Sequence, residues 1–222
     1  MSQPPSDRTR VRRSPNRGAY DRETIHSIID AAYVGTVAYV ANGMVRQIPM
    51  AVWREGDALY IHGSTASTLM RDLAAGAEAC IAVTHLDGLV LARSAFHHSM
   101  NYRAVILYGK GREVVDADAK EKSLDAFMEH LMPGRLDEVR PPSRQELKGT
   151  MVLAYDLKEA AAKIRTGGPN DDEPDMALPV WAGQVPLQLA TGQAVADERL
   201  AAGTAVPGYL AQLPHERMTP VA

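Results

Sequence analysis

Residues 34–53 read Val34-Gly35-Thr36-Val37-Ala38-Tyr39-Val40-Ala41-Asn42-Gly43-Met44-Val45-Arg46-Gln47-Ile48-Pro49-Met50-Ala51-Val52-Trp53. Two runs of strand-forming residues, Val34 to Val40 and Met44 to Trp53, flank Asn42-Gly43. A two-residue loop between antiparallel strands demands positive φ at both central residues, which Asn and Gly adopt at little steric cost. The stretch is therefore a hairpin.

Toward the C-terminus, Arg54-Glu55-Gly56-Asp57 reads as a turn into the strand Ala58 to His62, which Gly63 closes. Ser64 or Ser67 then caps a short helix carrying Leu69, Met70 and Leu73. Two more strand runs, 79–85 and 88–95, lie around Asp87-Gly88. After the polar break His97-His98-Ser99-Met100-Asn101, a long strand is expected from Tyr102 to Val115, partly covered on both faces. Six strands at hairpin spacing, with little helix between them, predict a mainly β fold with peripheral helices, a closed or split antiparallel barrel. Ala119 to Leu131 is an amphipathic helix with Leu124, Phe127, Met128 and Leu131 inward, stopped by Pro133-Gly134. Ser143 with Glu146 forms a capping box, and Met151 to Leu157 resumes a strand. Residues 166–175 form a Gly, Pro and Asp loop, and 179–183 are extended.

Toward the N-terminus, Asp21 caps a helix whose Ile25, Ile28, Ile29 and Ala32 share one face. Residues 1–19 are rich in Pro, Ser and Arg and read as a flexible arm unless docked. The folded domain is expected over 20–190, with an extension of weak helical pattern over 191–222.

Hydrophobic residues at 45% and charged residues at 23% of 222 are ordinary for a globular chain. A formal net charge of -3 provides no field that would draw a nucleic-acid backbone. Arg8, Arg10, Arg12, Arg13 and Arg17 read as a solvated arm, or one laid across a partner subunit, and no nucleic-acid partner is expected. The single cysteine, Cys80, reads as a small core residue and excludes an internal disulfide framework. No apolar run has the length of a membrane span and the polar start lacks an apolar h-region, so no membrane partner and a cytoplasmic location are expected. No metal site is expected: His97 and His98 are adjacent, would point to opposite faces of a strand, and read as a loop pair bonded to backbone. Lys163 and Arg165 read as a solvated charge cluster. Phosphate loops, nucleophile elbows and His-Glu-x-x-His are absent, so any reaction would rely on a cofactor.

Four segments carry a resemblance: Arg46-Gln47-Ile48-Pro49-Met50-Ala51, Tyr60-Ile61-His62-Gly63-Ser64, Ser67 to Leu73, and Asn101-Tyr102-Arg103-Ala104-Val105. The most distinctive stretch is Leu86 to Arg93 with His97 to Arg103. Over roughly 18–190 the chain resembles the pyridoxamine 5′-phosphate oxidase-like split-barrel superfamily, in particular its flavin-nucleotide-binding branch, which includes nitroimidazole-resistance proteins. The resemblance implies a six-stranded antiparallel split barrel, the FMN-binding split-barrel fold, acting as a homodimer with FMN in the cleft between subunits.

The same resemblance assigns the backbone of Arg46, Gln47, Ile48, Pro49 and Met50 to the isoalloxazine ring. It assigns the phosphate to His62, Gly63, Ser64, Ser67 and Thr68, flanked by Ile61 and Leu69, with Arg71 one turn along supplying charge. Unpaired amides at a helix start suit such an anion. His62 reads equally as a phosphate neighbour or a cap. Arg103 pairs with the flavin, with an acidic residue of the partner chain, or in a surface salt bridge. Trp181 either reaches the other subunit's flavin or is a buried interface aromatic.

Two departures from the oxidase pattern stand out. Its Arg-Lys pair after the serine is here Thr68-Leu69, and its substrate-contacting Lys is Ala51. Pyridoxamine phosphate oxidation is therefore not expected. Two functions remain: an FMN-dependent oxidoreductase passing electrons from NAD(P)H to a small acceptor such as a nitroaromatic, or a protein that holds flavin or haem without turnover. A deazaflavin is a third occupant.

Overall fold

The computed structural model describes residues 3–212. In order, its elements are β1 (Gly18–Ala19), α1 (Arg22–Asp30), β2 (Val34–Ala41), β3 (Met44–Ala51), β4 (Trp53–Glu55), β5 (Ala58–Ser64), α2 (Thr68–Ala74) and β6 (Glu78–Leu91). There follow β7 (Ser99–Lys110), β8 (Arg112–Glu113), α3 (Ala117–Leu131), α4 (Arg144–Gly149), β9 (Thr150–Asp156), β10 (Ala160–Arg165) and β11 (Gly183–Pro186).

Among the described residues these strands make two antiparallel sheets, one of seven strands ordered β1-β10-β7-β6-β2-β3, with β11 added to β6, and one of four ordered β4-β5-β9-β8. Neither sheet closes on itself. Between them lies one core, in which Ile28 and Ile29 of α1, Val37, Ile61, Met70 and Leu73 of α2, Ile81, Leu107 and Leu153 are buried. The molecule is a split barrel, mainly β with peripheral helices.

The founding hairpin forms as its sequence dictates. Asn42 (φ 52°) and Gly43 (φ 74°) make the loop between Ala41 and Met44, which face each other in register. The strand after it is shorter than expected, because the chain leaves the first sheet at Val52 and Trp53 opens β4 in the second. A bent segment can serve both sheets where a straight one cannot. Asp21 caps α1 by accepting from the Thr24 amide at 2.8 Å, Ser67 caps α2, and Ser143 with Glu146 completes the capping box of α4.

Asp87-Gly88 is not the turn that its composition suggested. Neither residue has positive φ, and β6 runs through them as one strand of 14 residues against β7, with a register shift between Leu86 and Gly88. The extra residue is a β-bulge: Asp87 keeps the inward phase of Ile81, Val83 and His85, its carboxylate holding Arg103, and the strand beyond it is re-phased so that Gly88 and Val90 turn inward. The break at 97–101 is correspondingly short, since β7 begins at Ser99. The alanine-rich β10, unannounced by any alternation, pairs with β7.

Three expected burials are corrected. Cys80 is not in the core; it lies half-buried on the outer face of the large sheet beside Tyr108, because its neighbours Ala79 and Ile81 take the inward positions. Leu131 is 39% exposed at the frayed end of α3. Arg165 is buried, its guanidinium donating to the Gly167 and Gly168 carbonyls and to Asn101 Oδ1. Loop carbonyls that would otherwise lack partners draw this cation in from solvent.

The N-terminal arm is docked on the barrel. Ser6 Oγ donates to Glu159 at 2.5 Å, Arg8 bridges Glu159 and Glu78 and lies over the Tyr108 ring at 5.1 Å, and Thr9 is buried. Residues 213–222 of the expected extension lie outside the described residues. Among the described residues no helix is long and apolar enough to cross a membrane.

Candidate functional site

β3 is the end strand of the large sheet, so one of its edges is open. The Val52 amide donates to the Tyr33 carbonyl at 3.2 Å, directly opposite in register. Backbone groups alternate sides along a strand, so Met50, Ile48 and Arg46 bond to β2 while Ala51, Pro49 and Gln47 present theirs outward. Pro49 is tolerated because its missing donor falls on the open edge. The result is a ladder of unpaired carbonyls at Gln47, Pro49 and Ala51 with amides at Gln47 and Ala51. Such an edge suits a flat heterocycle with alternating donors and acceptors.

Side chains of Arg46, Ile48 and Met50 share the face of Val37 and Tyr39, and there β3 approaches β5, against which α2 packs. Met50 reaches toward Gly63, where an added Cβ would stand 2.8 Å from Met70 Cγ, so this close approach requires glycine. Ser64 Oγ accepts from the Ala66 amide at 3.1 Å, and Thr68 and Arg71 are exposed on α2. Thus β3, the end of β5 and the start of α2 do converge.

Several expected residues do not face this place. Ile61 and Leu69 are core residues at 0% and 6% exposure, so their side chains touch protein only. Arg103 is neither on the surface nor turned to a neighbouring chain: it forks Asp87 through Nε and an Nη at 2.9 Å each, with both residues buried. Trp181, expected at the other subunit's flavin or in a buried interface, is 66% exposed in the single chain, with its ring beside Gly183 on the segment that β11 anchors to β6. His97 pairs with Asp172 and His98 with the Ser94 carbonyl.

His62 departs furthest from expectation. Along β5, Leu59 and Ile61 turn into the main core, so Tyr60 and His62 project from the opposite face, away from Ser67 and toward α3. The His62 ring sits 4.7 Å from the Phe127 ring and 5.7 Å from that of Trp53, which in turn stacks on Tyr60. It lines an open cavity of about 670 Å³ bounded by α3, the connection after it and α4, with Leu124, Phe127, Met128, Leu136 and Val139 as apolar walls. Its Nδ1 is buried without a hydrogen-bond partner, and burial pushes the imidazole below its usual pKa. An orphaned, neutral imidazole in an apolar chamber has the donor chemistry of a metal ligand. Sequence reading placed His62 beside the wrong neighbours; the alternation of Trp53, Tyr60 and His62 with the apolar stripe Leu124, Phe127 and Met128 was the available signal.

Two separate features thus mark the molecule: an open strand edge converging on a helix start, and a histidine-floored apolar chamber on the far side of the second sheet. Together with the fold they define a split-barrel protein with two candidate ligand sites. A family model described as pyridoxamine 5′-phosphate oxidase matches residues 21–164, and the chain belongs to that family. No curated protein matches it. Among solved structures, the flavocytochrome Anf3 of Azotobacter vinelandii is 37% identical with a TM-score of 0.91, over 95% of this chain and 98% of that one. The FAD and heme binding protein of Mycobacterium smegmatis is 38% identical with a TM-score of 0.85, over 88% and 96%. A candidate 5-nitroimidazole antibiotic resistance protein of Bacteroides thetaiotaomicron shares the fold at 22% identity and a TM-score of 0.56, over 66% and 86%.

Proposed function

We propose that this chain is a flavin- and haem-binding redox protein, acting as a homodimer. The observation that carries the haem assignment is the half-buried His62 imidazole in the wall of a largely apolar cavity, its Nδ1 sealed away from solvent without a partner so that Nε2 is the nitrogen left to meet a ligand, which fits an iron porphyrin better than any polar metabolite. His62 would hold the iron, and Leu124, Phe127 and Met128 would pack against the porphyrin. Relatives at 37% and 38% identity, described as a flavocytochrome and as an FAD and heme binding protein, support the reading.

The flavin belongs at the open edge of β3, with the outward backbone of Gln47, Pro49 and Ala51 matching the ring. Ser64, Ser67, Thr68 and Arg71 lie toward its phosphates. Without an Arg-Lys pair at Thr68-Leu69, Arg71 is the cation that α2 itself offers, and FAD is taken as the flavin because a relative at 38% identity is described as an FAD and heme binding protein. FMN, which the sequence suggested, is the other outcome of the same measurement. When bound, a flavin accepts electron pairs and releases them singly, and a haem carries them singly. The protein's own part is to orient both groups, exclude water around His62 and keep that imidazole unprotonated. A reduced nicotinamide as donor and a small acceptor complete the proposed oxidoreductase.

Dimerisation is proposed through the outer face of the large sheet. Across four strands, Thr36, Ala82, Ile106 and Ala161 form one outward row in register, with small and apolar neighbours and no covering helix. A wide face of this kind marks an interaction surface. Trp181, at 66% exposure, is available to a second subunit.

The test is an absorption spectrum of purified protein, with mass spectrometry of released ligands. A Soret band beside flavin bands, with the Soret band lost in His62→Ala and the flavin bands kept, is the expected result. Protein that takes up neither hemin nor a flavin overturns the proposal; release of a deazaflavin replaces its flavin half.

A further inference from the structure

The rim of the His62 cavity is acidic, with Glu121 and Asp125 on α3 and Glu146 on α4. One cation, Arg140, stands among the described residues that line it. Its guanidinium forks Glu146 at 2.6 and 2.8 Å and also donates to the Pro141 carbonyl at 3.0 Å. Both side chains of the pair are exposed, at 70% and 50%, and a solvated pair of this kind opens readily. Glu146 has a second occupation that does not need Arg140: its carboxylate accepts from the Ser143 amide at 2.7 Å in the capping box of α4.

A ligand with only apolar atoms and a metal has no use for a cation at the mouth of its chamber. A ligand bearing carboxylates is repelled by three acids and needs one. Arginine suits the role, because its planar fork meets any carboxylate through two parallel hydrogen bonds.

We propose that Arg140 is the carboxylate anchor of the cavity, exchanging Glu146 for a propionate of the macrocycle held at His62. The inference rests on the haem reading above and deepens it: the occupant is a carboxylate-bearing porphyrin, and Glu146 competes with it for the same guanidinium.

Hemin and its dimethyl ester, in which both carboxylates are capped, are titrated into ligand-free protein and followed at the Soret band. Arg140→Gln is expected to weaken hemin about tenfold, and Glu146→Gln, which keeps the capping bonds, to tighten it. The ester is expected to bind wild type and Arg140→Gln alike, more weakly than hemin binds wild type. If Arg140 only braces α4, both substitutions weaken hemin, and the anchor is overturned while the haem reading stands. Equal affinity of wild type for hemin and ester has the same meaning. Failure of wild type to bind either porphyrin removes the haem reading and the anchor together.

Discussion

The Arg103–Asp87 pair shows what a single residue can be asked to do here. A bidentate pair that is nearly solvent-free, at 3% and 6% exposure, is costly to desolvate but far costlier to halve. Asp87→Asn leaves the guanidinium buried beside a neutral amide, and a loss of about 3–5 kcal/mol in denaturant unfolding is expected. A loss below about 1 kcal/mol would mean that Arg103 escapes to water. His85 lies in the same buried end, its Nε2 2.9 Å from the Ile28 carbonyl, and desolvation, with Arg103 nearby, pushes its pKa down. His62 is pushed the same way by burial. The unfolded chain takes up protons near pH 6.5 while the folded rings remain neutral. Stability of the ligand-free protein should therefore hold above that pH and fall as pH drops from about 6.5 toward the folded values. Thermal midpoints measured between pH 8 and 5 should fall less steeply for His85→Gln than for wild type; parallel curves would sink the coupling.

Among elements, the bulge in β6 and the strand β11 depend on each other. β11 occupies the side of β6 beyond the point where β2 stops pairing, and the Leu187 amide donates to the Asp87 carbonyl at 3.0 Å. Asn101 ties this region together, its amide donating to Gln184 at 2.7 Å and its oxygen accepting from Arg165. Asn101→Ala removes both bonds without touching the main core. Hydrogen exchange at Val185 and Leu187 should accelerate at least tenfold, while β2 and β5 amides remain protected. Uniform acceleration would show global destabilisation instead. The hairpin around Asn42-Gly43 and the caps at Asp21, Ser67 and Ser143 were legible in the sequence, because each follows from bonding within a few residues. The bulge was not: Asp-Gly makes a turn only where the backbone turns left-handed, and here the pairing with β7 keeps it extended.

At the scale of the whole molecule, the proposed dimer, and with it the proposed flavin cleft, depends on the outward row of half-buried Thr36, Ala82 and Ile106 with buried Ala161. Placing a charge at its centre, as in Ala82→Glu, should leave the fold intact, since the side chain points outward. Sedimentation should then report a monomer in place of a dimer, together with loss of flavin but retention of hemin at His62. A variant that remains dimeric would place the subunit contact elsewhere. Loss of hemin along with flavin would show that the two sites are not independent, contrary to their separation across the second sheet.

Local order in the chain settled the hairpin, the caps and most of the strands, while the family resemblance grouped Gln47 to Met50 with Ser64, Ser67 and Arg71. What it left open was which face each residue would serve. Ile61 and His62 are adjacent and yet look into different chambers, because alternation along β5 assigns faces only after both sheets and α3 have packed. Arg103 and Arg165 are indistinguishable from surface cations until Asp87, Asn101 and the loop carbonyls close around them. Interactions between distant segments fix burial and direction, and neither quantity exists before the chain has folded.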